Sequence, residues 1–228
     1  MFRWEVCLVG VILLDTLFPR LPGDIGNPAT FPFPVIYEKV HGAFPSQVVR
    51  ERDSSLILPF IEAARILERK GAKAITTSCG FLAIWQKEMV SAVSVPLFTS
   101  SLIQIPWAYE LVGRRGQVGV LTADRDSLTI DHLKGVEAEG VPSVIQGMKP
   151  DSEFHRTYVG NSPDLDYSRV EKEVVEEAST LISDHPDVSA VVLECTNMTL
   201  FRKALREAVR VPIFDILTLI NYIHSSLK

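Results

Sequence analysis

The chain has 228 residues, 46% apolar and 22% charged, and 23 basic against 28 acidic side chains give a net charge of −5. These values are those of a globular protein and argue against disorder or low-complexity architecture. The mild negative charge, with no Lys/Arg block, argues against a nucleic-acid binder, and three cysteines are too few for a disulfide framework and read as reduced thiols in a cytoplasmic protein.

Arg3 followed by the apolar run 6–14 imitates a leader peptide. Glu5 at its head, Asp15 at its end and the lack of a small-x-small cleavage site oppose that. The run is also far below the ~20 residues that cross a bilayer, so no membrane association is expected. It reads instead as a buried parallel strand, with Cys7 in its core. Asp24-Ile25-Gly26-Asn27-Pro28-Ala29-Thr30 reads as a turn in which Gly26 permits tight backbone approach. Ser54 or Ser55 caps a helix to residue 69, with Leu58, Ile61, Ala64, Ile66 and Leu67 as its apolar positions and Gly71 as the stop. Strand 74–77 leads into Cys79-Gly80 and a helix from near Phe81. In the second half, strand 117–121 precedes a helix over 127–139 and a short strand at 143–146. A polar loop follows over 149–166, then an amphipathic helix over 168–182. Strand 188–193, a helix over 200–209 and a last helix over 216–227 complete the chain. Such alternation with short links predicts parallel sheets.

The chain repeats itself once. Val9-Gly10-Val11-Ile12-Leu13-Leu14-Asp15 is echoed 109 residues later by Val118-Gly119-Val120-Leu121-Thr122-Ala123-Asp124. Cys79 and Cys195 lie 116 residues apart, and each is followed 16 residues later by Val-Pro-x-Phe: Val95-Pro96-Leu97-Phe98 and Val211-Pro212-Ile213-Phe214. Ordered correspondences at nearly one offset point to internal duplication.

Both cysteines sit where a strand ends and a helix begins, at the sheet edge where α/β folds bind ligands. Unpaired N–H groups there favour a thiolate. If the halves pack about a pseudo-twofold axis, the thiols face each other across one crevice. One then removes a proton from carbon and the other delivers one to the opposite face, inverting a stereocentre without a cofactor. No Gly-x-Gly-x-x-Gly or Walker loop follows a strand, and the histidines lack metal-ligand spacing, so neither cofactor nor metal is expected.

Thr76-Thr77-Ser78-Cys79-Gly80, Glu194-Cys195-Thr196-Asn197-Met198 and the half-chain repeat together resemble the aspartate/glutamate racemase superfamily, whose relatives include hydantoin racemase, arylmalonate decarboxylase and maleate isomerase. The resemblance implies two similar α/β domains, each a parallel sheet flanked by helices, with the active site in the crevice between them. It implies Cys79 and Cys195 as the acid/base pair, with Thr196 helping to hold a substrate carboxylate and Asn197 as its polar neighbour. Residues 24–30 resemble the loop that follows the first strand in aspartate racemases, although here an insertion precedes them. Where amino-acid racemases carry Asn and then Thr or Ser after the first cysteine, this chain has Gly80 and Phe81. Phe31 and Phe33 would make the pocket more apolar still. The pair of cysteines argues against arylmalonate decarboxylase itself, which resembles this chain but has one.

The expected organisation is a first domain over 1–99 plus 213–228 and a second over 100–212. The expected function is a cofactor-independent racemase or epimerase acting on an amino acid or related carboxylate. A maleate-type isomerase using a covalent cysteine, and a non-catalytic binding protein on the same scaffold, are the alternatives. Besides the cysteines, the candidate substrate contacts are Asp24, Gly26, Asn27, Ser78, Gly80, Phe81, Thr122, Thr196 and Asn197. The family reading leaves a homodimer open.

Overall fold

A computed structural model describes residues 7–227; the start of the expected first strand, with Arg3, Glu5 and Val6, lies outside the described residues. The first half runs β1 (Leu8–Leu13), β2 (Val35–Lys39), α1 (Ile57–Arg69), β3 (Ala72–Thr77), α2 (Gln86–Val90), β4 (Leu97–Phe98) and α3 (Ile105–Leu111). The second half runs β5 (Gln117–Thr122), α4 (Ile130–Gly135), β6 (Ser143–Gly147), α5 (Tyr167–Asp184), β7 (Val188–Leu193), α6 (Arg202–Ala208), β8 (Ile213–Phe214) and α7 (Ile216–Ser226). The strands form two four-stranded parallel sheets, ordered β2-β1-β3-β4 and β6-β5-β7-β8. This is the α/β architecture that the strand–helix alternation predicts.

The duplication extends to detail. A register shift between Leu8 and Val9 in the β1–β3 pair recurs between Gln117 and Val118 in the β5–β7 pair. Gly10 of β1 and Gly119 of β5 occupy matching positions, and each lets a leucine lie on the strand. A Cβ on Gly10 would stand 3.0 Å from Leu67 of α1, and one on Gly119 2.9 Å from Leu181 of α5. Because side chains alternate along a strand, Ile12 turns with Gly10 toward the α1 core while Val9 and Val11 face α7.

The helices after the two edge strands are exchanged. The helix α3, which follows β4 of the first sheet, packs on β5 and β7 of the second. In return α7, which follows β8 of the second sheet, buries Ile216, Leu217, Leu219 and Ile220 against Val9, Val11, Ala74 and Phe98 of the first. Ile213 and Phe214 of β8 pair with Val191 and Val192 of β7, and the chain crosses to the first sheet with α7.

Several elements differ from expectation. The helix expected over 127–139 is confined to α4, where Thr129 and His132 form a capping box and Glu137 adopts a left-handed φ of 58°. The helices expected near Phe81 and Leu200 begin as 3-10 turns, Gly80–Trp85 and Thr196–Phe201, which lead into α2 and α6. The polar loop before α5 holds a π-helical turn, His155–Val159, and a second such turn, Gln47–Glu51, precedes α1. Among the described residues no helix is long and apolar enough to cross a membrane.

Candidate active site

Cys79 and Cys195 hold the N-cap positions of the two 3-10 turns, both in extended backbone. The turns tighten immediately after the cysteines, which aims backbone N–H groups at the sulfurs. Burial, and then the nearby Glu194 carboxylate, push the Cys79 thiol up to about 12, against the pull of the Phe81 and Leu82 N–H groups and the Arg20 charge. Cys195 is also raised, by burial, Glu194 and Cys79, while the N–H and side chain of Asn197 oppose the rise. Asn197 Nδ2 stands 3.6 Å from the Cys195 sulfur as donor.

The two thiols line one narrow cavity between the domains. It spans about 380 Å³ of space not filled by protein atoms, part of it open to solvent, a size that suits a small ligand. Ser78, Gly80 and Phe81 line it from the first domain, and Glu194 and Asn197 from the second. Leu14, Phe18, Val49, Tyr158 and Val159 make most of the remaining wall, with Arg20 as its cationic group. Both π-helical turns contribute to this wall, the first through Val49 and the second through Tyr158 and Val159. The turns are tied to each other by Arg50 Nη2 to His155 Nε2 at 3.0 Å, and Arg50 Nε also reaches Asp124 Oδ2 at 3.4 Å.

Arg20 is held in place by three side chains. Its Nη1 donates to Asp24 Oδ1 at 2.9 Å and to Asn197 Oδ1 at 3.3 Å, and its Nη2 to Thr16 Oγ1 at 3.2 Å. Asp24 is fully buried, and Gly26 is needed beside it because a Cβ there would lie 2.9 Å from Arg20 Cδ. Glu194 is fully buried. Its Oε2 accepts from Thr122 Oγ1 at 2.7 Å, and burial pushes its carboxyl up to about 7. Glu194 Oε1 and the Tyr158 hydroxyl are buried with no partner among the described residues.

Of the residues expected from sequence, Cys79, Cys195, Ser78, Gly80, Phe81 and Asn197 line the cavity. Asp24, Gly26 and Thr122 stand behind it, supporting Arg20 and Glu194. Asn27 instead donates to the Arg20 carbonyl at 2.7 Å and caps the turn Pro28–Thr30. Thr196 turns away, donating to the Ser78 carbonyl at 2.7 Å, and so joins the two strand ends rather than lining the cavity. Phe31 and Phe33 lie in the cluster under α7, where Phe33 stacks on His224 with centroids 3.7 Å apart; they do not wall the pocket. His155 is buried and bonded to Arg50, outside the cavity lining. Arg20, Tyr158 and Glu194 line the cavity although sequence reasoning does not select them. The signal for Glu194 is a carboxylate ending an otherwise apolar strand next to a cysteine. Among the described residues no group of His, Cys, Asp or Glu is arranged to hold a metal ion.

Comparison with known proteins gives two kinds of relative. The chain is 30% identical over 214 residues to a dimethylsulfoniopropionate lyase of Durusdinium sp. clade D, spanning 91% of this chain and 70% of that protein. It is 31% identical over 229 residues to dimethylsulfoniopropionate lyase 3 of Emiliania huxleyi (strain CCMP1516), covering 96% of this chain but 59% of that one, so it spans less than two thirds of that relative. In fold it is similar to allantoin racemase from Klebsiella pneumoniae, with a TM-score of 0.68 at 13% identity over 97% of this chain and 87% of the other. Unliganded arylmalonate decarboxylase is similar with a TM-score of 0.59 at 16% identity, over 91% of this chain and 86% of the other. A family model described as Asp/Glu/Hydantoin racemase matches residues 43–220. With its duplicated sheets and its crevice between two domains, the chain belongs to the Asp/Glu/hydantoin racemase family.

Proposed function

We propose that the chain removes a proton from the carbon next to a carboxylate with its thiol pair, and that it does so as a lyase on dimethylsulfoniopropionate. The observation that carries this reading is a cavity in which two thiols at equivalent repeat positions meet one guanidinium, while most of the remaining wall is aliphatic or aromatic. The names of the similar lyases support the choice of substrate.

In this reading Arg20 and the Tyr158 hydroxyl hold the carboxylate, placing the α-carbon at the thiols. A thiolate takes the α-proton, the C–H electron pair becomes the α–β double bond, and the β-carbon–sulfur bond breaks. Acrylate and neutral dimethyl sulfide leave, and the net charge is unchanged. Departure of a neutral sulfide drains the charge that would otherwise pile onto the carboxylate. Gly80 and Phe81, which offer no side-chain hydrogen bonds, are tolerable for that reason. A sulfonium carries no N–H donors and asks for no acceptors, whereas an α-ammonium would. Burial disfavours either thiolate, and the sulfonium brings the positive charge that favours ionisation.

A two-sided racemase is the second reading, favoured by the equivalence of Cys79 and Cys195 in the repeat, which supplies a proton donor opposite the base. Incubation in heavy water read by proton NMR separates the two. Acrylate and dimethyl sulfide from dimethylsulfoniopropionate support the lyase. Loss of α-proton signal from an amino acid or hydantoin, without cleavage of the sulfonium, overturns it in favour of the racemase.

A further inference from the structure

Ser78 and Glu194 occupy equivalent positions of the duplication, each one residue before its cysteine. Each donates its N–H to the strand beside it: Ser78 to the Ile12 carbonyl at 2.9 Å and Glu194 to the Leu121 carbonyl at 2.8 Å. Each side chain then accepts the next free N–H of that strand. Ser78 Oγ takes Leu14 N at 3.1 Å, and Glu194 Oε2 takes Ala123 N at 3.5 Å. The structural task therefore needs one oxygen, which a serine supplies in the first half. Glu194 brings a second, Oε1, fully buried on the cavity wall and without a partner among the described residues. The opposite wall is cut back to admit it, since any Cβ on residue 80 would collide with Oε1, whereas the equivalent position in the second half carries Thr196.

A buried carboxylate oxygen without a donor or cation is costly, and nothing in the wall offers it a cation. Facing Glu194 are Asp124 and the two thiols, all acidic, while the bonds of Arg20 go to Asp24, Asn197 and Thr16 and not to Glu194, which leaves its guanidinium on the wall for a ligand carboxylate. We propose that Glu194 Oε1 is the subsite for an onium group, so that the cavity selects a zwitterion with its carboxylate at Arg20 and a sulfonium or quaternary ammonium at Glu194. Such cations lack hydrogen-bond donors and bind through charge and through aromatic faces; Phe81 and Tyr158 line the same cavity, whereas one face of Phe18 is taken by the Arg20 guanidinium 4.5 Å from its centroid. The inference rests on this cavity being the substrate site of the proposed elimination. It adds that the positive charge, and not only the shape, is recognised. Because Glu194 must be ionised to act, recognition strengthens as pH rises through about 7, with Asp124, Cys79, Cys195, Tyr158 and Arg20 as the other titratable or charged groups at the cavity.

The test uses two carboxylates of one shape that differ by a single charge: 3-(trimethylammonio)propionate and 4,4-dimethylpentanoate, titrated calorimetrically into the whole chain and into Glu194→Gln. The wild type should bind the ammonium compound at least about tenfold more tightly at pH 8, with the ratio shrinking at pH 6. Glu194→Gln should bring the ratio close to one at both pH values while binding the neutral compound within about twofold of wild type, which also certifies its fold. Glu194→Asp should keep part of the preference. An unchanged ratio in Glu194→Gln, or equal binding of the two compounds by the wild type, overturns the inference. If dimethylsulfoniopropionate is nonetheless cleaved, the lyase reading survives that failure. Binding of neither compound, together with turnover of amino acids or hydantoins, overturns both.

Discussion

Gly80 and Glu194 pack backbone against side chain across the interface of the two domains, so closely that any Cβ at position 80 would overlap the Glu194 carbonyl and carboxylate oxygens. The contact joins the residue after the first cysteine to the residue before the second. It fixes the spacing of the two turns that carry the thiols. Gly80 is therefore a glycine for want of space and not for backbone freedom, which accounts for the missing Asn of the amino-acid racemases. Gly80→Ala should lower the stability to chemical denaturation by about 1–3 kcal/mol, the usual cost of overpacking. Adding Glu194→Ala should recover only part of it, because the carbonyl stays.

Both thiols should prove necessary. Burial and the negative charge of Glu194 disfavour two thiolates in one cavity, so the proposed mechanism requires one thiolate beside one thiol. Removing either member disturbs the other. Cys79→Ser and Cys195→Ser should each reduce turnover of the active substrate by about 10²–10⁴-fold, with circular dichroism and melting temperature close to wild type. Retention of most activity by either variant would count against the thiol mechanism.

Glu194 should leave its mark on the pH dependence of stability. Its carboxyl titrates near 7 when folded against an ordinary value of 4.5. Between those values the folded chain holds a proton that the unfolded chain releases. Stability contributed by the neutral carboxyl is thus fully present below about 4.5 and is lost as pH climbs through about 7. The loss is on the order of 3 kcal/mol at pH 8, since each tenfold gain in proton affinity is worth about 1.4 kcal/mol. Urea denaturation of the wild type and Glu194→Gln at pH 5 and pH 8 should show the gap moving in favour of the variant at the higher pH. A constant gap would place the Glu194 carboxyl at its ordinary value.

The tie between the π-helical turns should govern entry to the cavity. Arg50 on the first reaches His155 on the second and Asp124 beside it. Losing a hydrogen bond of about 1 kcal/mol corresponds to roughly fivefold in an opening equilibrium. Arg50→Ala should therefore speed alkylation of Cys79 and Cys195 by several fold, read by mass spectrometry under native conditions. An unchanged rate would mean that the mouth opens elsewhere.

The sheets are legible in the sequence because their strands are continuous apolar runs: residues 188–193 form β7 as expected, and the two Val-Pro-x-Phe segments that mark the repeat become β4 and β8. The strand β2 is harder to see because Val35–Lys39 is short, follows a proline and ends in Glu38 and Lys39, as an edge strand can. The cysteines are legible as a pair through their spacing. Arg20 is not, since it is a lone cation in a loop, and only the folded chain brings it against Asn197 Oδ1 at 3.3 Å. Tyr158 lies in what reads as an open polar stretch, and its π-helical turn leaves no simple periodicity. Thr196 shows the opposite limit. Its type and place fit a substrate contact, yet its hydroxyl goes to the Ser78 carbonyl.

The reciprocal exchange of α3 and α7 bears on how the chain is made. The cover for the second sheet, α3, is synthesised before that sheet. The cover for the first sheet, α7, is synthesised after everything it touches. While a ribosome is still working through the second half, Val9, Val11, Ala74 and Phe98 lack the apolar partners that residues 216–226 will supply. The domain translated first is thus the one completed last, and the interval between the two events is the nascent chain's period of greatest exposure to chaperones and to aggregation.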